Sequence, residues 1–174
     1  EIETKNKLIP TTINICGVTL AQELHDVIDY MIMAMIEKEW ELRDVIKSGR
    51  THLMDAVPLS LSYEIEVWRE QLSHANEVIA FSKEELEFLP IGGTAIGTSL
   101  NAPKSFSRNV CSALNKIYST RNIKFKPNPN KSEMMSSQNH ILTMSSALLR
   151  VASTYTKFFL IFKSTREFIK ITHS

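Results

Sequence analysis

The stretch that decides the fold is "VIDYMIMAMIEKEW", residues 27–40. Between Tyr30 and Ile36 it would be apolar on nearly every side of a helix, and it contains neither glycine nor proline. A helix that is hydrophobic all round has to be covered all round by protein. A single chain of 174 residues hardly supplies that cover, so the stretch predicts a long helix that associates with other subunits.

Glycine and proline divide the rest of the chain into further helical segments. Helices are predicted at about residues 10–47, 59–89, 105–118 and from 131 to the end. In the second, apolar residues recur at spacings of three and four and form one stripe: Leu61, Ile65, Trp68, Leu72, Ala75 and Ile79. No strand-like alternation of useful length is present. We therefore predict an all-α fold, a bundle of long helices, in a single domain of residues 1–174.

Composition excludes several classes of function. The net charge is +1, and 43% of the residues are hydrophobic and 22% charged, which is ordinary for a soluble globular protein. No charge asymmetry indicates a nucleic acid or a membrane surface as partner. Cys16 and Cys111 are too few for a disulfide framework and are expected to be buried thiols in a reducing compartment. We expect the cytoplasm, or the mitochondrial matrix in a eukaryote.

Two loops between predicted helices are rich in chemistry. The first is "SGRTHLMDAVP", residues 48–58. Thr51 offers a hydroxyl group, and His52 can donate to an anion or move a proton near neutral pH. Arg50 could pair with a carboxylate, and Asp55 could orient a neighbour. The alternative is a plain turn in which Asp55 caps a backbone group and His52 is merely exposed.

The second loop is "LPIGGTAIGTSLNAP", residues 89–103. It lacks the preceding strand and the Lys-Ser/Thr pair that a phosphate-binding loop needs. Its glycines are instead expected to permit tight turns and close helix approach. Thr94, Thr98 and Asn101 can then form hydrogen bonds locally or to a ligand.

The two loops lie in the motifs "SGRTHLMDAVPLSL" and "LPIGGTAIGTSLNAP". A predicted helix of roughly 30 residues separates these motifs. With this order and spacing, the chain resembles the class II fumarase and aspartase family over about residues 6–157. The resemblance implies an all-α fold in which long helices of four subunits form one core. It also implies active sites shared between subunits and a four-carbon dicarboxylic acid that loses water or ammonia to give fumarate. One base suffices for this reaction, so the resemblance implies no redox cofactor and no metal.

The resemblance assigns roles to residues of the first motif and of the N-terminal segment. It implies that Thr51 binds a substrate carboxylate and that His52 lines the same pocket and polarises the substrate, as the catalytic candidate. In "TKNKLIPT", residues 4–11, Asn6 matches an asparagine of the family's substrate site. Thr4 is a hydroxyl-bearing substitute there, whereas the flanking lysines depart from the pattern.

In the second motif, Thr94 and Asn101 match the family. The resemblance implies that they shape the substrate site and the contacts between subunits.

The family's base is a serine in a "G-S-S-x-M-P-x-K-x-N" loop, and nothing in the 174 residues resembles it. After Lys157 the sequence also departs from the family, which leaves 158–174 as a divergent tail. We expect a fragment, a shifted reading frame or a degenerate homologue, inactive alone. "LPIGGTAIGT" favours a fumarate hydratase-like lyase. "SSQN", residues 136–139, favours an aspartate ammonia-lyase, and a non-catalytic helical assembly module is the third hypothesis.

Overall fold

A computed structural model describes residues 2–52 and 54–172, with side chains for residues 8–52 and 54–160. Most of these residues are helical, which confirms the predicted all-α class. The elements follow one another as α1 (Ile2–Leu42), β1 (Ile46–Thr51), β2 (Met54–Ser60), α2 (Leu61–Leu86), β3 (Phe88–Leu89), α3 (Phe106–Ile117), β4 (Lys126–Pro127), α4 (Lys131–Ser136) and α5 (Asn139–Thr172).

The bounds of α1 differ from the prediction at both ends. The helix begins at Ile2 and contains Pro10, although a proline was expected to mark its first turn. A proline costs the helix one backbone bond. Leu8 and Ile9 before it carry no side-chain oxygen that could cap a helix starting there. The helix ends at Leu42 rather than Lys47, because the backbone from Ile46 onward pairs as a strand.

The connection between α1 and α2 is an antiparallel hairpin, β1–β2, and the expectation of no useful strand is wrong here. Its strands pair from Ile46 opposite Ser60 to Thr51 opposite Met54. The sequence hides this pairing because Gly49 and Pro58 break the alternation that marks a strand. A second sheet is minimal, with Phe88–Leu89 parallel to Lys126–Pro127.

The later helices lie close to their predicted positions, with one correction. The predicted continuous helix from residue 131 is two helices, because Ser137 is extended, with φ −120° and ψ 140°. The next helix, α5, begins at Asn139, whose N–H donates to Ser137 Oγ at 3.2 Å. The predicted start is confirmed, since the Glu133 N–H donates to Asn130 Oδ1 at 3.1 Å.

The chain divides into two compact units, Glu1–His25 with Val78–Ala147 and Asp26–Glu77 with Leu148–Ser174. We call them the loop unit and the hairpin unit, after the motif that each contains. The single domain of residues 1–174 stays a prediction.

The loop unit has an apolar core and a set of side chains that fix its irregular segments. Its fully buried residues include Val18, Leu89 and Phe125. The amide of Asn115 holds the backbone of Phe125, since Nδ2 donates to the carbonyl at 3.0 Å and Oδ1 accepts from the N–H at 2.8 Å. Lys83 Nζ donates to Gln22 Oε1 at 2.6 Å and to the Asn122 carbonyl at 2.9 Å. Side-chain bonds therefore hold the segment between α3 and β4 in place.

The hairpin unit is held by aromatic packing and by charged pairs. The rings of Trp68 and Phe158 meet edge to face with centroids 5.3 Å apart, a favoured aromatic geometry. Arg69 Nε donates to Glu39 Oε1 at 2.6 Å. This bond to Glu39 raises the pKa of Arg69 above its usual value, although burial acts in the opposite direction. Glu70 also raises this pKa.

The two thiols differ in exposure. Cys111 is buried as expected, and burial raises the pKa of its thiol. Cys16 is exposed, so the expectation of a buried thiol is wrong there. Its position on α1 turns it away from the side of the helix on which Asn14 and Val18 are buried. Among the described helices, none combines the length and hydropathy that a bilayer crossing requires.

Candidate functional site

The first motif lies at the tip of the β1–β2 hairpin. Thr51 pairs with Met54, so His52 lies in the turn that joins the two strands. His52 has a positive φ of 54°, and two-residue hairpin turns require such left-handed residues. Thr51 and His52 are both exposed. The hairpin therefore presents a hydroxyl group and an imidazole at its end, where a ligand or another protein surface can reach them.

A bulge in β1 shapes the hairpin. The register shifts between Ser48 and Arg50, which places the irregularity at Gly49. A Cβ on Gly49 would lie 2.7 Å from the Leu59 side chain and 2.8 Å from the Val57 carbonyl oxygen. Only glycine permits this close approach of the strands without a shift. The bulge thus depends on the glycine that the sequence places two residues before Thr51.

Arg50 and Asp55 form a cross-strand pair, with Arg50 Nε donating to Asp55 Oδ1 at 3.0 Å. Their side chains are 59% and 68% exposed, and exposed pairs stabilise a fold by only ~0.2–1 kcal/mol. At the base of the hairpin, Lys47 Nζ binds both carboxylate oxygens of Glu64, at 2.7 and 2.8 Å. Arg50 was expected to pair with a carboxylate, and here it pairs with that of Asp55 in the same hairpin.

The second motif forms the glycine loop, residues 91–104. Its backbone is left-handed at several positions, including Thr94 (φ 54°), Gly97 (φ 95°) and Asn101 (φ 64°). A Cβ on Gly97 would lie 2.0 Å from Ser132 Oγ and 2.6 Å from the Ser132 backbone nitrogen. Ser132 Oγ also donates to the Ile96 carbonyl. The predicted role of the glycines in close packing is therefore present at Gly97, against the start of α4.

The glycine loop forms one wall of a cavity in the loop unit. The cavity has a volume of about 480 Å³, which lies within the range of small-molecule sites. Asn101 and Thr98 line it, together with the starts of α3 and α4. Thr94 is half-buried and does not line this cavity. Of the two loop residues predicted for the substrate site, Asn101 thus lines this cavity and Thr94 does not.

The predicted site residues fall into three groups. Thr51 and His52 belong to the hairpin unit, and Thr94 and Asn101 belong to the loop unit, so neither unit contains both pairs. The side chains of Thr4 and Asn6 lie outside the described residues. Within the described ranges, no three His, Cys, Asp or Glu side chains are grouped so that they could hold a metal ion together.

A buried polar pair in the loop unit was missed by the sequence analysis. His140 Nε2 lies 3.1 Å from Asn14 Oδ1, and Asn14 Nδ2 donates to the Phe88 carbonyl at 3.0 Å. Burial lowers the pKa of His140, although Glu133 and Glu85 act in the opposite direction. His140 is visible in the sequence directly after "SSQN". Nothing in the sequence, however, indicates that residues 14 and 140 meet.

Comparisons with known proteins agree with this architecture. The family model described as "Lyase" matches residues 3–159. A fumarate hydratase class II from Prochlorococcus marinus (strain MIT 9313) is 36% identical over 151 residues, covering 86% of this chain and 32% of that protein. One from Chlamydia pneumoniae is 42% identical over 115 residues, covering 66% of this chain and 25% of that protein.

A solved structure is similar as well. The class II fumarase from Schistosoma mansoni aligns with a TM-score of 0.79 at 28% identity, covering 86% of this chain and 34% of its own. The matched model and the helical fold define a lyase-type domain. The chain belongs to the fumarase/aspartase family of lyases. It spans about a third of the length of the curated relatives that it matches.

Proposed function

We propose that the chain contributes to a fumarate hydratase-like lyase, which reversibly eliminates water from malate to give fumarate. The observation that carries the proposal is the Thr51–His52 pair, exposed at the tip of a hairpin whose shape is fixed by strand pairing. The class II fumarate hydratases among its relatives support this choice of reaction. The substrate class is therefore a small four-carbon dicarboxylate.

The chemistry needs groups that stabilise negative charge. Removing a proton beside a carboxylate builds up a dianion, and fixed hydrogen-bond donors stabilise that charge best where water is excluded. In this proposal Thr51 binds one carboxylate through its hydroxyl group, and His52 polarises the substrate. Asn6 and Thr4 contribute further polar groups to the same anion site.

In this proposal Thr94 and Asn101 complete the site from another subunit, as the resemblance to the family implies. The proposal therefore includes a homo-oligomer, specifically a tetramer. Support comes from α1, whose exposed apolar side chains in the hairpin unit are Val27, Tyr30, Met33 and Trp40, between 60% and 79% exposed. Apolar surface of this extent on one helix favours association.

Binding of a dicarboxylate to the purified chain tests the site. We expect fumarate or succinate to bind in a calorimetric titration, and His52→Ala to weaken binding about tenfold, as the loss of one hydrogen bond to a charged group does. His74→Ala is the matched control, because His74 is an exposed histidine on α2. Equal affinity in the chain and in His52→Ala would contradict the proposed site.

Turnover and assembly are tested separately. We expect no fumarate absorbance from malate with the chain alone, because no side chain matching the family's serine base is present in the 174 residues. Turnover that disappears in His52→Ala would instead make His52 the base. Sedimentation at micromolar concentration should show an oligomer, and a stable monomer would contradict the proposed association.

An aspartate ammonia-lyase is the second candidate. "SSQN", residues 136–139, resembles aspartases, and it lies at the break between α4 and α5. Aspartate that competes with fumarate more strongly than malate does would favour this candidate. Association without binding of any dicarboxylate would favour the third hypothesis, a non-catalytic assembly module.

A further inference from the structure

The cavity beside the glycine loop has an unusual charge. Three cationic side chains line it, from Lys104, Arg108 and Lys131, and none of the described carboxylates does. Lys104 is the last residue of the glycine loop, Arg108 lies in the first turn of α3, and Lys131 is the first residue of α4. Three segments that are separate in the chain thus bring like charges to one concave surface.

These charges are not neutralised within the described part of the chain. No carboxylate there forms an ion pair with Lys104, Arg108 or Lys131, whereas Arg121 has Glu23 at 2.6 Å. Like charges brought together repel one another, so the arrangement costs free energy unless an anion is present. A concave surface lined by one sign of charge also concentrates ions of the opposite sign.

The cavity wall is a fixed structure rather than a set of independent surface side chains. Ser107 Oγ donates to the Ile91 carbonyl at 2.8 Å, which ties α3 to the glycine loop. Ser132 Oγ donates to the Ile96 carbonyl, which ties α4 to the same loop. Arg108 and Lys131 each lie next to one of these serines in the sequence. The positions from which they enter the cavity are therefore held by the loop.

Neutral donors complete the surface. Thr98, Ser99 and Asn101 also line the cavity and can donate to oxyanions or accept from hydroxyl groups. The volume of about 480 Å³ exceeds that of a simple ion and lies within the range of small-molecule pockets. The guanidinium of Arg108 suits carboxylate and phosphate oxygens, which it binds through two parallel N–H groups.

We propose that this cavity binds a small organic polyanion, a di- or tricarboxylate or a phosphate ester, through Lys104, Arg108 and Lys131. The proposal goes beyond the lyase function above, because the site is complete within the loop unit and uses neither Thr51 nor His52. Asn101, which is also proposed for the lyase site, lines this cavity as well.

Calorimetric titration of the full 174-residue chain with citrate, and separately with inorganic phosphate, tests the proposal. We expect saturable binding of at least one probe that weakens as salt screens the charges. Arg108→Gln with Lys131→Gln should raise Kd at least about tenfold, the effect of losing charge-assisted bonds. Lys116→Gln is the matched control, because Lys116 lies in the last turn of α3 and does not line the cavity.

Each outcome decides the question. Saturable binding that is lost in the double variant and kept in Lys116→Gln supports the site, and the preferred probe identifies carboxylate or phosphate chemistry. Binding that is absent for both probes, or weakened equally by Lys116→Gln, overturns it. If the double variant has a lowered melting temperature, Lys104→Gln alone takes its place, because this lysine is exposed and lies at the end of the glycine loop.

One further variant separates this site from the lyase site. His52→Ala should leave citrate or phosphate affinity unchanged while it weakens fumarate binding. If His52→Ala abolishes binding of the probes and the cavity variants do not, the anion binds at the hairpin and the cavity proposal is wrong. Loss of fumarate binding alone would bear only on the lyase proposal.

Discussion

The hairpin and the glycine loop achieve defined shapes by opposite means. The β1–β2 hairpin is ordered by backbone pairing along both strands, so its tip can present Thr51 and His52 without packing them. The glycine loop has no partner strand in the part where it turns, and its shape comes from contacts with α3 and α4. The comparison indicates that side chains at the hairpin tip are free to serve function, whereas glycines in the loop are fixed by packing.

Gly97→Ala should have the largest effect on stability, because the glycine loop packs closely against Ser132 only while residue 97 has no side chain. The new Cβ would overlap Ser132 and the φ of 95° is strained for alanine. We expect a loss of ~2–5 kcal/mol in the free energy of unfolding, from strain and overpacking together. Denaturant unfolding measures it. Ala95→Ser, in the same loop but exposed, is the control, and an unchanged midpoint in Gly97→Ala would contradict the packing argument.

Gly49→Ala should have a smaller effect in the hairpin. The new Cβ would meet the flexible end of Leu59 at 2.7 Å and the Val57 carbonyl oxygen at 2.8 Å. Leu59 can move, and the pairing on either side of the bulge remains, so we expect a loss of ~1–3 kcal/mol. The same unfolding experiment measures it. A loss greater than that of Gly97→Ala would show that the hairpin, too, depends chiefly on packing.

Acid should weaken the loop unit more than the hairpin unit. Burial lowers the pKa of His140 below the 6.5 of an unperturbed histidine. Below pH 6.5 the unfolded chain therefore binds a proton that the folded chain does not. Stability is complete above that pH and decreases as the pH falls toward the lowered value.

Hydrogen exchange at pH 7.5 and 5.5 reports on each unit. The expected loss of protection is centred on α5 around His140 and on the neighbouring part of α1, which carries Asn14. His140→Gln should flatten the pH dependence, and His74→Gln should not. If the loop unit of the His140→Gln chain stays more sensitive to acid than the hairpin unit, the assignment to His140 is wrong.

Asp55→Asn should have the smallest effect. The variant keeps the shape of the side chain that accepts from Arg50 and removes only the charge, and the pair is largely exposed. We expect a change of less than ~1 kcal/mol, smaller still at high salt. A larger loss would show that the pair, and not strand pairing, orders the hairpin tip.

Sequence patterns predicted the long helices because apolar spacing and breakers are local signals. α2 and α3 begin and end within three residues of their predicted bounds, 59–89 and 105–118. The hairpin escaped prediction because Gly49 and Pro58 usually interrupt strands, whereas here one forms a bulge and the other lies opposite Ser48. The break at Ser137 escaped because a serine in a polar segment is no strong helix breaker.

The candidate site was predictable only in part. Thr51 and His52 were found by a motif that is contiguous in sequence. The cavity needs Lys104, Arg108 and Lys131, and no local pattern shows that residues from three segments face one space. The Asn14–His140 pair spans 126 positions, so only the folded chain brings it together.

The tie between Ser132 and the glycine loop also bears on the order in which the chain folds. The bond joins residues 36 positions apart, whereas the Arg50–Asp55 bond spans five. Closing the longer segment costs more chain entropy, and the hairpin can form within microseconds. Pulse-labelling during refolding should therefore show hairpin amides protected before those of residues 91–104, so that the surface carrying Thr51 and His52 exists before the cavity does.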